Sequence, residues 1–164
     1  PRSRGLGDVY KRQAVQMMSK IIRQVENGPD YQTQLDVSRP KADATVSDAI
    51  SCAIRRISSI LPVAVLVNYS ESGSSSLRAA RERPVAPILN LTPNLSTARR
   101  LSVAWGVHSV VNDRLRQVDE VCSTALEIAQ AQGMAQRGDT LVITAGVPFG
   151  QPGSTNSLRI ETLI

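Results

Sequence analysis

The sequence predicts a three-layer α/β/α sandwich built on a five-stranded, mostly parallel sheet whose last strand is antiparallel. Short all-apolar runs such as Val63–Val67 alternate with segments whose apolar residues recur at helical spacing. That alternation is typical of parallel strands covered by helices on both faces. The last run, Leu158–Leu163, instead alternates apolar and polar residues. It follows its neighbour through a loop too short for a crossover helix, so we expect it to pair antiparallel.

The first third of the chain carries two predicted helices and a connector. Apolar residues recur at helical spacing over Ala14–Val25, which predicts a first helix. Residues 31–44 are polar and aperiodic, so we expect extended chain there. A second apolar stripe covers residues 46–61. Thr45 and Asp48 stand at the N-cap and N3 positions of that helix, in the arrangement of a capping box.

Strands and helices alternate after residue 62. The strands are predicted at Val63–Val67, Ile88–Leu91, Val107–Val111, Thr140–Ala145 and Leu158–Leu163. The helices are predicted at Ser74–Arg83, from Thr92 to Gly106, and at Val118–Gln132. In the middle helix we place Pro93 at the first position, where its missing N–H costs nothing. We expect its buried side to carry Leu95, Ala98, Leu101 and Trp105. The chain then divides into a leader (1–13), a first helix (14–28), a connector (29–44) and an α/β domain (45–164).

Composition and charge argue against nucleic acid and membranes as partners. The formal net charge is +5, but the first thirteen residues hold four basic side chains and one acidic one, and the remaining charges are interleaved in sign. Aromatic residues make up 3% of the chain, too few for a base-stacking platform. No apolar run approaches the roughly 20 residues that span a bilayer, and no secretory signal is recognised. We therefore expect a cytoplasmic globular protein.

The reactive side chains form no recognisable catalytic or metal-binding pattern. Cys52 and Cys122 fall inside predicted helices, where reduced thiols that pack as small apolar groups are expected. The single histidine, His108, lies within a predicted strand, which favours a core or interface imidazole over a catalytic one. No Ser/His/Asp set and no metal-ligand cluster is visible in the sequence. We predict neither catalytic residues nor a metal site in this chain.

A serine-rich segment, residues 70–75 (the serine loop), follows a central strand and opens a helix. Open α/β sheets bind ligands beyond the carboxyl ends of their strands, and a helix N-terminus attracts anions. Gly73 lets the backbone approach a ligand closely, and the hydroxyls add donors for phosphate oxygens. The alternative is a serine-rich turn without a ligand. Glu71 counts against phosphate, because like charges repel at short range.

A second segment rich in glycine, residues 146–156 (the glycine loop), joins the last two strands. It has no lysine and so is not a Walker loop. It is either a long hairpin connection or a lid beside the serine loop. The predicted effector- or phosphate-binding residues of the two loops are Ser70, Ser72, Gly73, Ser74, Ser75, Gly150, Gly153 and Ser154.

With these motifs in place, the sequence resembles the C-terminal domain of pyruvate kinase from about Ala14 to Leu163. The order and spacing of short matches carry the resemblance, although each is weak alone. These matches are Thr45 with Ser47-Asp48-Ala49-Ile50, Ser72-Gly73, Arg83-Pro84, Pro87-Ile88 with Thr92, Arg99-Arg100-Leu101, Trp105-Gly106-Val107, Gly138-Asp139, Val142-Ile143-Thr144, Gly146, and Gly150 through Gly153-Ser154-Thr155-Asn156.

The resemblance implies a domain that lies at a subunit interface of a homotetramer and holds an effector site. In the family, sugar phosphates or nucleotides bind through a T-x-S-G-x-S/T loop after the first strand. The serine loop matches it, with Ser70 in place of the usual threonine. Members that bind fructose bisphosphate often place basic residues around this pocket, and the loop here has none. We therefore expect a phosphorylated effector with one phosphate, such as a hexose phosphate or AMP, rather than a bisphosphate.

The family's reaction transfers a phosphoryl group from phosphoenolpyruvate to ADP with Mg²⁺ and usually K⁺. The resemblance implies that those ligands and the catalytic lysine lie in a (β/α)8 barrel earlier in such polypeptides. The helix at Ala14–Val25 resembles the last helix of that barrel, whereas residues 1–13 do not resemble the barrel and are interpreted as a foreign leader. We expect the chain to have no cofactor of its own and to be inactive alone.

Two other functions stay open at this stage. One is a free-standing regulatory domain that binds a phosphorylated metabolite and never had a barrel. The other is a small independent enzyme, which the lack of a catalytic constellation disfavours. The reading frame upstream of Pro1 distinguishes the first alternative from a pyruvate kinase.

Overall fold

The computed structural model describes residues 4–39, 41–115, 117–148 and 154–163, with the backbone alone for residues 4–6 and 8. The chain divides into two compact units at a boundary after residue 40. The first unit contains helices α1 (Arg4–Glu26) and α2 (Tyr31–Ser38).

Two predictions for the first unit were wrong. Helix α1 begins at Arg4 rather than at Ala14, because Leu6, Val9 and Tyr10 continue the helical spacing upstream and the stretch from Lys11 to Gln13 consists of good helix formers. Residues expected to be extended contain α2, which has no buried side chain. Local bonds stabilise this short helix: the Ser38 hydroxyl donates to the Gln34 carbonyl at 2.9 Å, and Arg39 pairs with Asp36 at 2.9 Å.

The second unit alternates helices and strands around one five-stranded sheet. Its elements are α3 (Val46–Ile60), β1 (Val63–Tyr69), α4 (Ser74–Arg81), β2 (Ile88–Thr92), α5 (Leu95–Leu101), β3 (Val107–Val111), α6 (Val118–Ala131), β4 (Thr140–Gly146) and β5 (Thr155–Thr162). The strand order is β3-β2-β1-β4-β5. The first four strands are parallel, and β5 runs antiparallel to β4. The predicted fold class is confirmed.

The all-apolar strands are explained by helices on both faces of the sheet. On one face Val65 and Val67 of β1 pack into a cluster with Val121 and Ala125 of α6. On the other face Leu66 packs into a separate cluster with residues of α3 and α4. Side chains of successive strand residues point to opposite faces of the sheet. A strand that helices cover on both faces therefore has no solvent-exposed position.

The N-terminus of α3 forms only half of the predicted capping box. The Thr45 hydroxyl accepts the Asp48 N–H at 3.2 Å, as expected. The Asp48 carboxylate does not return to the Thr45 N–H, which donates instead to the Asp43 carbonyl at 2.7 Å. Asp48 accepts the Asp43 N–H at 3.0 Å and the Arg81 guanidinium at 2.9 Å. The Asp48 carboxylate, in a side chain that is 3% exposed, thus pairs with arginines of α4 instead of accepting the Thr45 N–H.

The predicted start of α5 was also wrong. Thr92 is the last residue of β2, and α5 begins at Leu95 with Asn94 at the N-cap. The Asn94 N–H donates to the Thr92 hydroxyl at 3.3 Å, which makes a turn before the helix. Leu101 is fully buried, as expected, and Thr97 is buried beside it, whereas Leu95 is 53% exposed. The helix ends at Leu101, before the expected end at Gly106.

The remaining expectations concern membranes, thiols and the histidine. Among the residues that the structure describes, no helix combines the length and apolar character needed to cross a bilayer. Both cysteines are free thiols. Cys122 is buried, and burial raises the pKa of its thiol, whereas Cys52 is half-buried. His108 is exposed on β3, so it is not the core imidazole that was one of two expectations.

Candidate functional site

The serine loop lies at the carboxyl end of β1, where it leads directly into α4. The Ser70 N–H donates to the Leu91 carbonyl at 3.0 Å, so the loop leaves the sheet beside β2. Gly73 has a φ of +78°, a conformation that suits glycine. A Cβ at this position would lie 3.0 Å from Thr97 Cγ2 and 3.1 Å from Leu101 Cδ1. The turn therefore requires glycine both for its backbone and for the space around it.

Hydrogen bonds within the loop decide which hydroxyls face outward. The buried Ser70 hydroxyl accepts the Gly73 N–H at 3.0 Å and so closes the turn from inside. Ser72 and Ser74 are half-buried, and their hydroxyls are 3.1 Å apart. The first turn of an α-helix leaves its N–H groups without intrahelical partners, and here those groups follow Gly73. The Ser74 N–H also donates to the Ser72 hydroxyl at 3.4 Å, so these two half-buried serines form the start of α4.

Helix α5 holds the backbone carbonyls of the serine loop. Asn94 Nδ2 and Thr97 Oγ1 both donate to the Glu71 carbonyl, at 3.1 Å and 2.8 Å. The Arg100 guanidinium donates to the Ser72 carbonyl. These donors are spaced three residues apart, on one face of α5.

Arg100 is the functional candidate that sequence reasoning missed. The serine loop contains no basic residue, but Arg100 brings an exposed positive charge to it from 28 residues away. The sequence signal was available in principle, because Asn94, Thr97 and Arg100 recur at helical spacing. Its meaning depended on the loop packing against that face, which spacing alone does not show.

The glycine loop meets the serine loop at Thr155, the first residue of β5. The hydroxyls of Ser75 and Thr155 share a hydrogen bond, and the Ser47 hydroxyl donates to the Thr155 carbonyl at 3.4 Å. The two predicted loops are therefore neighbours. Ser154 is half-buried beside Gly146, where an added Cβ would lie 2.5 Å from the Ser154 hydroxyl.

The structure places the predicted site residues in three groups. Ser72 and Ser74 are half-buried at the loop, whereas Ser70, Gly73 and Ser75 are buried and shape it. Ser154 lies next to the Thr155 contact. The predicted residues outside the described part of the chain are Gly150 and Gly153. Within the described ranges, no three His, Cys, Asp or Glu side chains come together in a way that could hold a metal ion.

Taken together, the fold and the loop define a three-layer α/β/α domain with a serine-rich turn at the carboxyl edge of its sheet. The sequence profile of one family, "Pyruvate kinase, alpha/beta domain", matches residues 48–161. The chain belongs to this family.

Known relatives agree with this assignment. The chain is 41% identical over 148 residues to a pyruvate kinase of Methylorubrum extorquens, a match that covers 90% of this chain and 31% of the relative. It is 32% identical over 154 residues to a pyruvate kinase of Clostridium acetobutylicum, covering 94% and 33%. A solved Cryptosporidium parvum pyruvate kinase in complex with ADP superposes with a TM-score of 0.70 at 26% identity, covering 80% of this chain and 26% of that one. The chain thus spans about a third of the length of these relatives.

Proposed function

We propose that this chain is the C-terminal regulatory and subunit-contact domain of a pyruvate kinase, a longer enzyme that forms pyruvate and ATP from phosphoenolpyruvate and ADP. Family membership and coverage of about a third of the relatives support this proposal. In it the domain works in the cytoplasm as part of a homotetramer. The alternative of a free-standing regulator has no specific observation in its favour.

Within that enzyme, the domain binds a phosphorylated effector at the serine loop. One observation carries the proposal: the Ser72 and Ser74 hydroxyls, 3.1 Å apart and half-buried, lie at the start of α4. A helix N-terminus offers unpaired N–H groups and a partial positive charge, which together suit phosphate oxygens. The Ser72 hydroxyl donates to the Ser74 hydroxyl, so the half-buried Ser74 hydroxyl supplies the donor for a ligand oxygen.

Charge at the loop favours an effector with one phosphate. Arg100 is a positive side chain at the loop, and Glu71 is a negative one within it. With one cation offset by one carboxylate, the hydroxyls and N–H groups supply most of the binding. A second phosphate would face Glu71 without a further cation from the loop. A hexose monophosphate or AMP therefore fits better than a bisphosphate.

Catalysis belongs to other parts of the enzyme in this proposal. Pyruvate kinases use Mg²⁺ and usually K⁺, and the described residues offer no carboxylate cluster that suits either ion. We expect the 164-residue chain alone to form no pyruvate. A pyruvate assay with phosphoenolpyruvate, ADP, Mg²⁺ and K⁺ tests this, and turnover that purifies with the chain contradicts it.

Calorimetry tests the effector site. We expect AMP or glucose 6-phosphate to bind the wild-type chain more tightly than fructose 1,6-bisphosphate. A Ser72→Ala/Ser74→Ala variant should weaken binding by about tenfold, since the Ser74 donor is lost together with the Ser72 hydroxyl that bonds to it. Ser123→Ala on α6 is the matched control, because it removes an exposed helical hydroxyl away from the loop. Unchanged affinity in the double variant would place the site elsewhere.

Gly73→Val is not a suitable binding test. The added side chain would press on Thr97 and Leu101 and would strain the backbone at φ +78°. Loss of binding in that variant would therefore report distortion of the loop. The serine variants change the donors and leave the turn intact.

A further inference from the structure

A continuous row of hydrogen-bonded polar side chains crosses the interior of the sheet. Its members, here called the polar row, are Thr144 of β4, Asn68 of β1, Ser76 of α4, Asn90 of β2 and Ser109 of β3. The strand residues stand at one level of the sheet, since Asn68 is in register with both Asn90 and Thr144, and Asn90 with Ser109. Asn68, Ser76, Asn90 and Thr144 are each at most 2% exposed.

The row runs in one direction, with each side chain donating to the next. The Thr144 hydroxyl donates to Asn68 Oδ1 at 2.5 Å, and Asn68 Nδ2 donates to the Ser76 hydroxyl at 3.3 Å. Ser76 donates to Asn90 Oδ1 at 2.8 Å, and Asn90 Nδ2 donates to the Ser109 hydroxyl at 3.4 Å. Aligned hydrogen bonds of this kind polarise one another in a medium of low dielectric.

Ser76 is the member of the row that does not belong to the sheet. Its hydroxyl accepts from one central strand and donates to the next, so it links α4 to both β1 and β2. A rotation of α4 or a shift along its axis would break at least one of these bonds. Each break would leave a buried amide unpaired, which costs more than the bond itself contributes. The row therefore holds the first turn of α4 in one orientation.

We propose that Ser76, held between Asn68 and Asn90, is a positioning residue for the anion site at the serine loop. Ser76 follows Ser74 and Ser75 directly, so its anchorage sets the direction of the N–H groups that precede it in the first turn. The residue itself is 0% exposed and does not touch a ligand. The inference rests on the proposed function, because it explains how the hydrogen-bond donors of the effector site are oriented.

Affinity and stability of the full 164-residue chain separate positioning from mere folding. Ser76→Ala should raise the dissociation constants of AMP and glucose 6-phosphate by about fivefold, because the first turn loses the two hydrogen bonds that join Ser76 to β1 and β2. Val121→Ala is the control: it removes buried apolar volume from α6 on the opposite face of the sheet. Val121→Ala should lower the urea midpoint about as much as Ser76→Ala does, and it should leave both dissociation constants unchanged.

Ser109→Ala provides a second variant if Ser76→Ala does not fold. It shortens the row at its half-buried end, so we expect the chain to fold and the dissociation constants to rise by about twofold. In ¹H–¹⁵N spectra, Ser76→Ala should also shift the Ser74 and Ser75 amide signals, and Val121→Ala should leave them in place.

The outcomes distinguish this inference from the proposed function. Weaker binding in Ser76→Ala and Ser109→Ala but not in Val121→Ala supports the inference. Equal losses in all three variants, or no loss in either row variant, overturn it while the effector site stands. If the wild-type chain binds neither probe, the proposed function fails, and the inference fails with it.

Discussion

Ser75 and Thr155 lie 80 residues apart in the chain, and their buried hydroxyls share a hydrogen bond. The bond joins the first turn of α4 to the first residue of β5, and so connects the two loops that the sequence singled out. Ser47 of α3 donates to the Thr155 carbonyl, which brings a third element to the same point. The ends of both loops are thereby fixed by one residue of the antiparallel strand.

Removing the Thr155 hydroxyl should destabilise the domain. Thr155→Val keeps the shape of the side chain but leaves the buried Ser75 hydroxyl without this partner. We expect the free energy of unfolding to fall by about 1–2 kcal/mol in urea denaturation. In a double-mutant cycle with Ser75→Ala, the coupling energy should be about 1 kcal/mol. Strictly additive losses would show that the two hydroxyls do not interact.

Ser123→Ala, at an exposed position, serves as the matched control for this cycle. Its hydroxyl donates to the Asp119 carbonyl within α6 at 3.1 Å, in contact with solvent. We expect a change within about 0.5 kcal/mol of wild type, as for most surface substitutions. A loss equal to that of Thr155→Val would indicate a general cost of removing serine or threonine hydroxyls.

Two glycines with positive φ should respond differently to alanine. Gly73 (φ +78°) is crowded by Thr97 and Leu101, whereas Gly133 (φ +66°) has open space where a Cβ would stand. Gly133→Ala should cost about 1 kcal/mol from its left-handed backbone alone. Gly73→Ala adds a steric clash, so its unfolding free energy should fall by at least about 1 kcal/mol more. Equal losses in urea denaturation would contradict the close contact seen at Gly73.

The architecture of the second unit could be predicted because periodicity and position both report on burial. Val63–Val67 is apolar at every position since helices cover both faces. The burial of β5, the edge strand, does not follow its sequence alternation, because Ile160 is 46% exposed and Glu161 is half-buried. Helix boundaries were less certain. Pro93 fits a helix start by rule, yet the Thr92 hydroxyl accepts the Asn94 N–H and α5 begins two residues later, at Leu95. That outcome depends on one side-chain bond that sequence pattern does not specify.

The serine loop of the candidate site could be predicted from the sequence, but the residues that surround the loop could not. The position of residues 70–75 after a central strand followed from the order of elements. The contribution of Arg100 required the packing of α5 on the loop carbonyls. The polar row required the strand register that places Asn68 beside Asn90. Such contacts join residues that are distant in the chain, and the local sequence pattern around each residue does not predict them.

Stability should depend on pH through Asp48. The hydrogen bond from Arg81 lowers the pKa of this carboxyl in the folded state, and the Asp43 N–H and the charge of Arg78 act in the same direction. A folded-state pKa below the unfolded value stabilises the protein above about pH 4, and that stabilisation is lost as the pH falls further. We expect the urea midpoint of the wild-type chain to decrease when the pH is lowered below about 4. Asp48→Asn should reduce this decrease.

Asp119→Asn is the control for the pH experiment. Asp119 pairs with Arg159 at 2.7 Å, but its side chain is 85% exposed, so solvent screens the interaction. The variant should keep the wild-type dependence of the urea midpoint between pH 7 and pH 3. A wild-type slope that persists in Asp48→Asn, or that disappears in Asp119→Asn, would assign the dependence to other carboxylates.

The pair formed by Arg83 and Trp105 can be measured by fluorescence, because Trp105 is the only tryptophan in the chain. The Arg83 guanidinium lies 4.6 Å from the indole centroid, and Arg83 has a φ of +48°. Arg83→Ala should lose about 0.5–1 kcal/mol of cation–π stabilisation and keep the backbone cost. Arg83→Gly loses the same contact but removes a left-handed backbone cost of about 1 kcal/mol, so its stability should return near wild type. Both variants should change the Trp105 emission in the folded state, and an unchanged spectrum would show that the guanidinium does not stack on the ring in solution.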